Sequence, residues 1–248
     1  LIFRAVAIEF RSKQTSLLWR KAWDMTFSLA SFLIGFILGL GLGNLIQGVP
    51  LDQEGNFIGS FSLFFRPYPI LIGLFTTTLF IMHGSIYLAM KTEGVLHERL
   101  RIWVKLSIFL FVIIYFITTF STWMFMPHMV ERIQEYRWLS LVPVAALLAI
   151  LNVPRLFSLK KDFQAFLFSC LGIILMLVVF GIGTFPNLVR SLVQPDLLSL
   201  NFLNASGSEL NLTVLLIIVA IGLPFVFCYS AMIYRVFRGK VKIEASSY

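Results

Sequence analysis

The sequence predicts an all-α protein, a polytopic bundle of transmembrane helices, and three observations carry that reading. Hydrophobic residues make up 58% of the 248 and charged residues 13%, against about 25% charged in soluble domains. Long apolar runs recur at the length of a bilayer crossing, roughly 17 to 25 residues. The segments between those runs alternate between basic-rich and basic-poor, which is how a multi-span inner-membrane protein encodes its orientation.

Residues 1–8 read as the end of one span. Six full spans follow near 25–46, 69–90, 104–126, 139–153, 164–185 and 213–237. The connecting segments 9–24, 91–105, 154–163 and 235–248 hold four, four, three and four Lys or Arg, whereas the alternate segments hold only Arg66, Arg132, Arg137 and Arg190. Short loops rich in Lys and Arg stay in the cytoplasm, so the basic set, including the C-terminus, is expected inside and the loops 47–68, 127–138 and 186–212 outside. All five tryptophans, Trp19, Trp23, Trp103, Trp123 and Trp138, fall at span ends, where an amphipathic indole suits the headgroup region. The net charge of +8 is thereby explained by topology and anionic lipid, without nucleic acid.

Within the spans, a few residues depart from the apolar background. Ser31, Gly35, Gly39 and Gly43 recur every four residues on the first full span, a small-residue stripe that lets another helix approach closely. The next span carries Thr76, His83 and Tyr87 on one polar stripe ending at Lys91. His83 is open to three readings: a hydrogen-bonded interior residue, a proton or quinone contact, or a metal ligand. The span 139–153 is short and bounded by Pro143 and Pro154, which predicts a kinked or shallow helix. The longest non-apolar stretch, 186–212, offers no soluble domain, so residues 1–248 read as one integral membrane domain.

Arg4 stands inside the apolar run that opens the chain. A charge there needs a partner or a hydrated cavity, or else snorkels to the interface. Glu9 lies five positions on, about 140° around a helix from Arg4, a poor angle for a local pair. The cluster Glu93, Glu98, Arg99 and Arg101 reads as solvated loop charge. Cys170 and Cys228 both fall within spans, with no paired-cysteine motif and no nearby His, so disulfide, zinc and cysteine-ligated haem lack support. The sequons at Asn204 and Asn211 read as accidental. No catalytic motif is present: nucleophile elbow, phosphate loop and paired carboxylates within a span are all missing. The chain opens in an apolar run without Met, which reads as the C-terminal part of a longer protein.

Six segments in order, FRAVAIEFR (Phe3 to Arg11), Trp23-Asp24, GNLIQGVP (Gly43 to Pro50), HGSIYLAMKTEG (His83 to Gly94), NASGSEL (Asn204 to Leu210) and YRVFRGKV (Tyr234 to Val241), strongly resemble subunit II of the cytochrome bd quinol oxidases. The resemblance runs essentially end to end and implies nine transmembrane helices in the complete subunit, of which this chain supplies the end of the third and the fourth to ninth. It further implies a bacterial inner-membrane complex that oxidises quinol, reduces dioxygen to water and builds a proton-motive force. Two haems b and one haem d would be ligated by subunit I. Subunit II would be a helical partner that in some members contributes to a proton path and carries a quinone, with a small accessory subunit in some complexes. Arg4 and Glu9 match the Arg and acidic positions of the family's third helix and become candidates for a proton path or subunit interface, while His83 and Tyr87 move toward a polar interior role. No residue is assigned to catalysis or to a metal. The alternative is a secondary transporter or other non-redox bundle, which inverted repeats or broken helices would favour.

Overall fold

A chain that crosses lipid has to satisfy its own backbone N–H and C=O groups, and every long apolar run here is helical. The computed structural model describes residues 1–240; Val241 and Lys242, at the end of the basic C-terminal segment, lie outside the described residues. In chain order the helices are α1 (Ile2–Arg11), α2 (Leu17–Gln47), α3 (Pro67–Lys91), α4 (Gly94–Phe125), α5 (His128–Glu135), α6 (Leu141–Ser158), α7 (Asp162–Thr184), α8 (Pro195–Leu198) and α9 (Glu209–Val236). Six are long and apolar enough to span a membrane: α2, α3, α4, α6 with the 3₁₀ turn before it, α7 and α9. Between α7 and α9, β1 (Asn187–Val189) pairs antiparallel with β2 (Leu200–Asn201).

The helices outrun the apolar windows that announced them. α2 begins at Leu17 and α4 at Gly94, well before positions 25 and 104, because Trp, Lys, Arg and Glu continue a helix readily once it leaves the hydrocarbon. Part of the segment 127–138, read above as loop, is the amphipathic α5, which buries Met129 and exposes Glu131 and Glu135. The short span at 139–153 also corrects: α6 runs through Pro154 to Ser158, losing one backbone bond rather than ending. It closes in a Schellman cap, where Lys160 adopts φ 59° and the amides of Lys160 and Lys161 donate to the carbonyls of Phe157 and Leu156.

The core lies among α3, α4, α6 and α7, where Met82, Ile86, Val104, Phe111, Val153 and Phe157 are almost wholly buried. A second cluster of Ile46, Tyr68, Ile72, Met126 and Met129 seals the end of the bundle carrying the basic-poor loops. α2 joins through close backbone approach to α3. At Gly39, an added Cβ would sit 2.5 Å from Thr76 Oγ1 and 2.6 Å from the Ile72 carbonyl; at Gly43 it would sit 2.6 Å from Pro69 Cα. Lipid tails are as apolar as leucine, so this fit supplies association that hydrophobicity cannot. Thr76 and Thr77 return their hydroxyls to the carbonyls of Ile72 and Gly73, which leaves the interface without stranded donors. α9, by contrast, has no buried residue.

Candidate functional site

Polar residues gather at the two ends of the bundle and at one point within it. At the basic end, α1 folds back along α2 as a hairpin. The Arg11 guanidinium meets Asp24 at 2.6 Å, and that contact raises the Arg11 pKa through its hydrogen bond and charge. Trp19 donates its indole N–H to the Phe10 carbonyl at 2.7 Å, while Trp23 packs against both Phe10 and Trp19. The Trp-Asp pair of the sequence motif is therefore a clasp for the hairpin. Arg4 is exposed, with its guanidinium 5.1 Å from the centre of the Phe27 ring. Glu9 is exposed too and pairs with Lys13 at 3.4 Å, one turn on. The two candidates are not in contact with each other.

Within the bundle, His83 on α3 meets Ser169 on α7, Nδ1 to Oγ at 2.8 Å. The Ser169 hydroxyl spends its proton on the Phe166 carbonyl at 2.7 Å, so His83 Nδ1 is assigned as the donor and Nε2 keeps the lone pair. Phe166 stacks on the His83 ring with centroids 5.0 Å apart and also touches Tyr87 at 5.5 Å. Lys91 follows over Tyr87 and donates to the carbonyls of Phe237 and Gly239, tying α3 to the end of α9. The polar stripe of α3 thus joins α3 to α7 and α9.

One ionic joint escaped the sequence reading. Arg101, taken above as part of a solvated cluster, reaches Asp162 at 3.1 Å with only 14% and 18% of the two side chains exposed. It also donates to the Phe157 carbonyl at 2.8 Å and lies over the Phe157 ring. Asp162 opens α7, where the helix dipole already favours an acid. The partners are far apart in sequence, and no local pattern links them. The charge balance of the α6–α7 turn, with one acid among Arg155, Lys160 and Lys161, was the available signal.

The opposite end is organised around Gly43 to Pro50. Asn44 donates to the carbonyls of Leu40 and Phe64, and Arg66 donates to the carbonyls of Leu63 and Gly48, the latter at 2.6 Å. Gly48 holds φ 87°, and a Cβ there would meet the Arg190 carbonyl at 2.9 Å, a backbone that side chains resist. Val49 exchanges hydrogen bonds with the 190–192 segment, and His128 Nε2 donates to the Ile46 carbonyl at 2.9 Å. Burial is the main cause lowering the His128 pKa, assisted by the charge of Arg190; it likewise lowers that of Arg66. Beyond this hub, the loop acid Asp52 is held below the usual carboxylate range, chiefly by the Asn56 amide. All three basic-poor loops therefore meet at one end and the basic segments at the other, as an alternating topology requires.

Among the described residues no group of three or more His, Cys, Asp and Glu converges. His83, His97 and His128 are separately engaged with Ser169, the Ala89 carbonyl and the Ile46 carbonyl, and Phe166 covers one face of His83. The fold and its polar joints define a class: a multi-pass membrane protein whose charges clasp helices and loops.

Comparison with known proteins gives that class a family. The family model described as cytochrome bd terminal oxidase subunit II matches residues 1–237. The cytochrome bd-I ubiquinol oxidase subunit 2 of Escherichia coli (strain K12) is 27% identical over 274 residues, covering 98% of this chain and 72% of the relative. The cytochrome bd ubiquinol oxidase subunit 2 of Bacillus subtilis (strain 168) is 30% identical over 244 residues, 97% of this chain and 70% of the relative. A probable cytochrome oxidase subunit 2 of Haemophilus influenzae is 25% identical, with similar coverage. This chain belongs to the cytochrome bd terminal oxidase subunit II family. Membership implies haem and quinone at the level of the complex, and it sets the transporter alternative aside.

Proposed function

We propose that this chain is the helical partner of a haem-bearing subunit I in a complex that oxidises quinol and reduces dioxygen to water in aerobic respiration. The observation that carries it is the family match over residues 1–237. Haems b and d are ligated by subunit I in this reading. Quinone, lipid and, in some complexes, a small accessory subunit complete the partners. The basic end faces the cytoplasm of a bacterial inner membrane, and the chain forms a single membrane domain.

The site residues divide by role. Ser31, Gly35, Gly39 and Gly43 hold α2 against α3. His83 and Tyr87 form a polar interior joint. Arg4 and Glu9 serve a proton path or the interface with subunit I, since both side chains are exposed on α1, Glu9 in a surface pair with Lys13.

The test has two parts. The complete subunit produced without subunit I should show no haem d absorbance; a haem d band in that preparation would overturn the ligand assignment. In the complex, Arg4→Met should lower haem content or quinol-dependent oxygen uptake severely, whereas Arg11→Met, which loses a half-exposed surface pair, should be mild. Equal, near-wild-type values for both would remove Arg4 from the site.

A further inference from the structure

An open groove of about 520 Å³ runs between α6 and α7. Its apolar wall includes Leu148, Ala149, Leu171 and Leu175, and Asn152 and Arg155 stand at the end nearest the α6–α7 turn. From Ala145 to Arg155 the groove follows α6 for roughly 15 Å at 1.5 Å per residue, half of a hydrocarbon core of roughly 30 Å. It is therefore one leaflet long. Leu148 and Leu171 are 62% and 43% exposed along it, so the groove opens sideways, toward lipid, and not into the bundle.

The polar end asks for an anion. Arg155 is exposed and, among the described residues, is engaged in no ion pair. Asn152 sits a turn deeper, half-buried in an apolar run, and its amide has no side-chain hydrogen bond among the described residues. An amide at that depth gains from a polar partner. Lys160 and Lys161 follow on the Schellman turn, where Asp162 is already committed to Arg101. The result is a cationic rim over a one-leaflet apolar trough.

We propose that this groove holds one anionic phospholipid, its acyl chain along Leu148, Ala149, Leu171 and Leu175 and its phosphate on Arg155 and Asn152, with Lys160 and Lys161 at the headgroup. A lipid supplies both halves of the complement, negative head and apolar tail, in the right order along the membrane normal.

The intact oxidase complex would be exchanged into nanodiscs of phosphatidylglycerol mixed with phosphatidylcholine, and retained lipids read by native mass spectrometry. Wild-type complex should keep a phosphatidylglycerol that Arg155→Leu retains about fivefold less, the effect of one basic residue at a membrane surface. Leu148→Trp should displace it by filling the trough, and Arg99→Leu, exposed on α4, should change nothing. A photo-crosslinking residue at position 148 of otherwise wild-type complex reports the occupant even where a variant assembles poorly, and it should capture lipid. Wild-type retention in both groove variants, equal retention of phosphatidylcholine, or capture of another subunit at position 148 would overturn the proposal.

Discussion

Gly39→Ala tests how much of the assembly rests on the contact between α2 and α3. The added methyl carbon would lie 2.5 Å from Thr76 Oγ1, 2.6 Å from the Ile72 carbonyl and 2.7 Å from Thr76 Cβ. Two of those atoms belong to a bonded unit, because the Thr76 hydroxyl donates to that same carbonyl at 2.9 Å. Backbone cannot step aside, so the helices separate. A gap of roughly 0.5 to 1 Å forfeits a quarter to a half of each dispersion contact it opens, and overpacking of this kind costs about 1 to 3 kcal/mol. The helix itself gains about 1 kcal/mol from Gly to Ala, which leaves a net loss of up to about 2 kcal/mol. Gly41 is the internal control: a Cβ there meets nothing within 4 Å, so Gly41→Ala keeps the helical gain alone. Gly35→Ala falls between, against the Phe80 side chain at 3.3 Å. Native gels and the thermal midpoint of the purified complex should rank Gly41→Ala at or above wild type, Gly35→Ala near it and Gly39→Ala below, with Gly39→Leu failing to assemble. Indistinguishable midpoints for Gly39→Ala and Gly41→Ala would refute the close-approach argument.

Arg101→Leu strands Asp162 in a largely buried joint, and a broken pair of this kind costs about 3 kcal/mol; the double variant with Asp162→Leu should recover part of the lost thermal stability, and no recovery would mean that the two are not coupled. His128 has a folded pKa below its ordinary 6.5, with burial the first cause, so the unfolded chain binds the proton more readily. Its contribution to stability is therefore complete above pH 6.5 and declines as pH falls through the window between 6.5 and the folded value; amide protection across residues 44–49, taken relative to the intrinsic exchange rate at each pH, should fall at pH 5.5 in the native chain and stay level in His128→Gln. Single cysteines in a background lacking Cys170 and Cys228 should label at position 54 only from outside and at position 98 only from inside. The reverse pattern would invert the topology.

The spans and their alternating polarity were determined by composition and order alone. A run of apolar residues long enough to cross lipid has one way to satisfy its backbone, and charge too expensive to carry through the bilayer collects between runs. The same local logic exposed the small-residue stripe of α2, because spacing of four places Gly35, Gly39 and Gly43 on one face. Tertiary structure decided which helix that face meets, and where the polar groups find partners. His83 with Ser169, Arg101 with Asp162 and His128 with the Ile46 carbonyl join residues far apart in the chain, and no periodicity encodes such a distance. Arg101 shows the difference most directly: beside Glu98 and Arg99 it reads as one more solvated charge, and only the packing of α4 against α6, beside the first residue of α7, makes it a joint. The helix ends were likewise outside the reach of hydropathy, since a helix continues as long as its hydrogen bonds do, past the point where its side chains cease to be apolar.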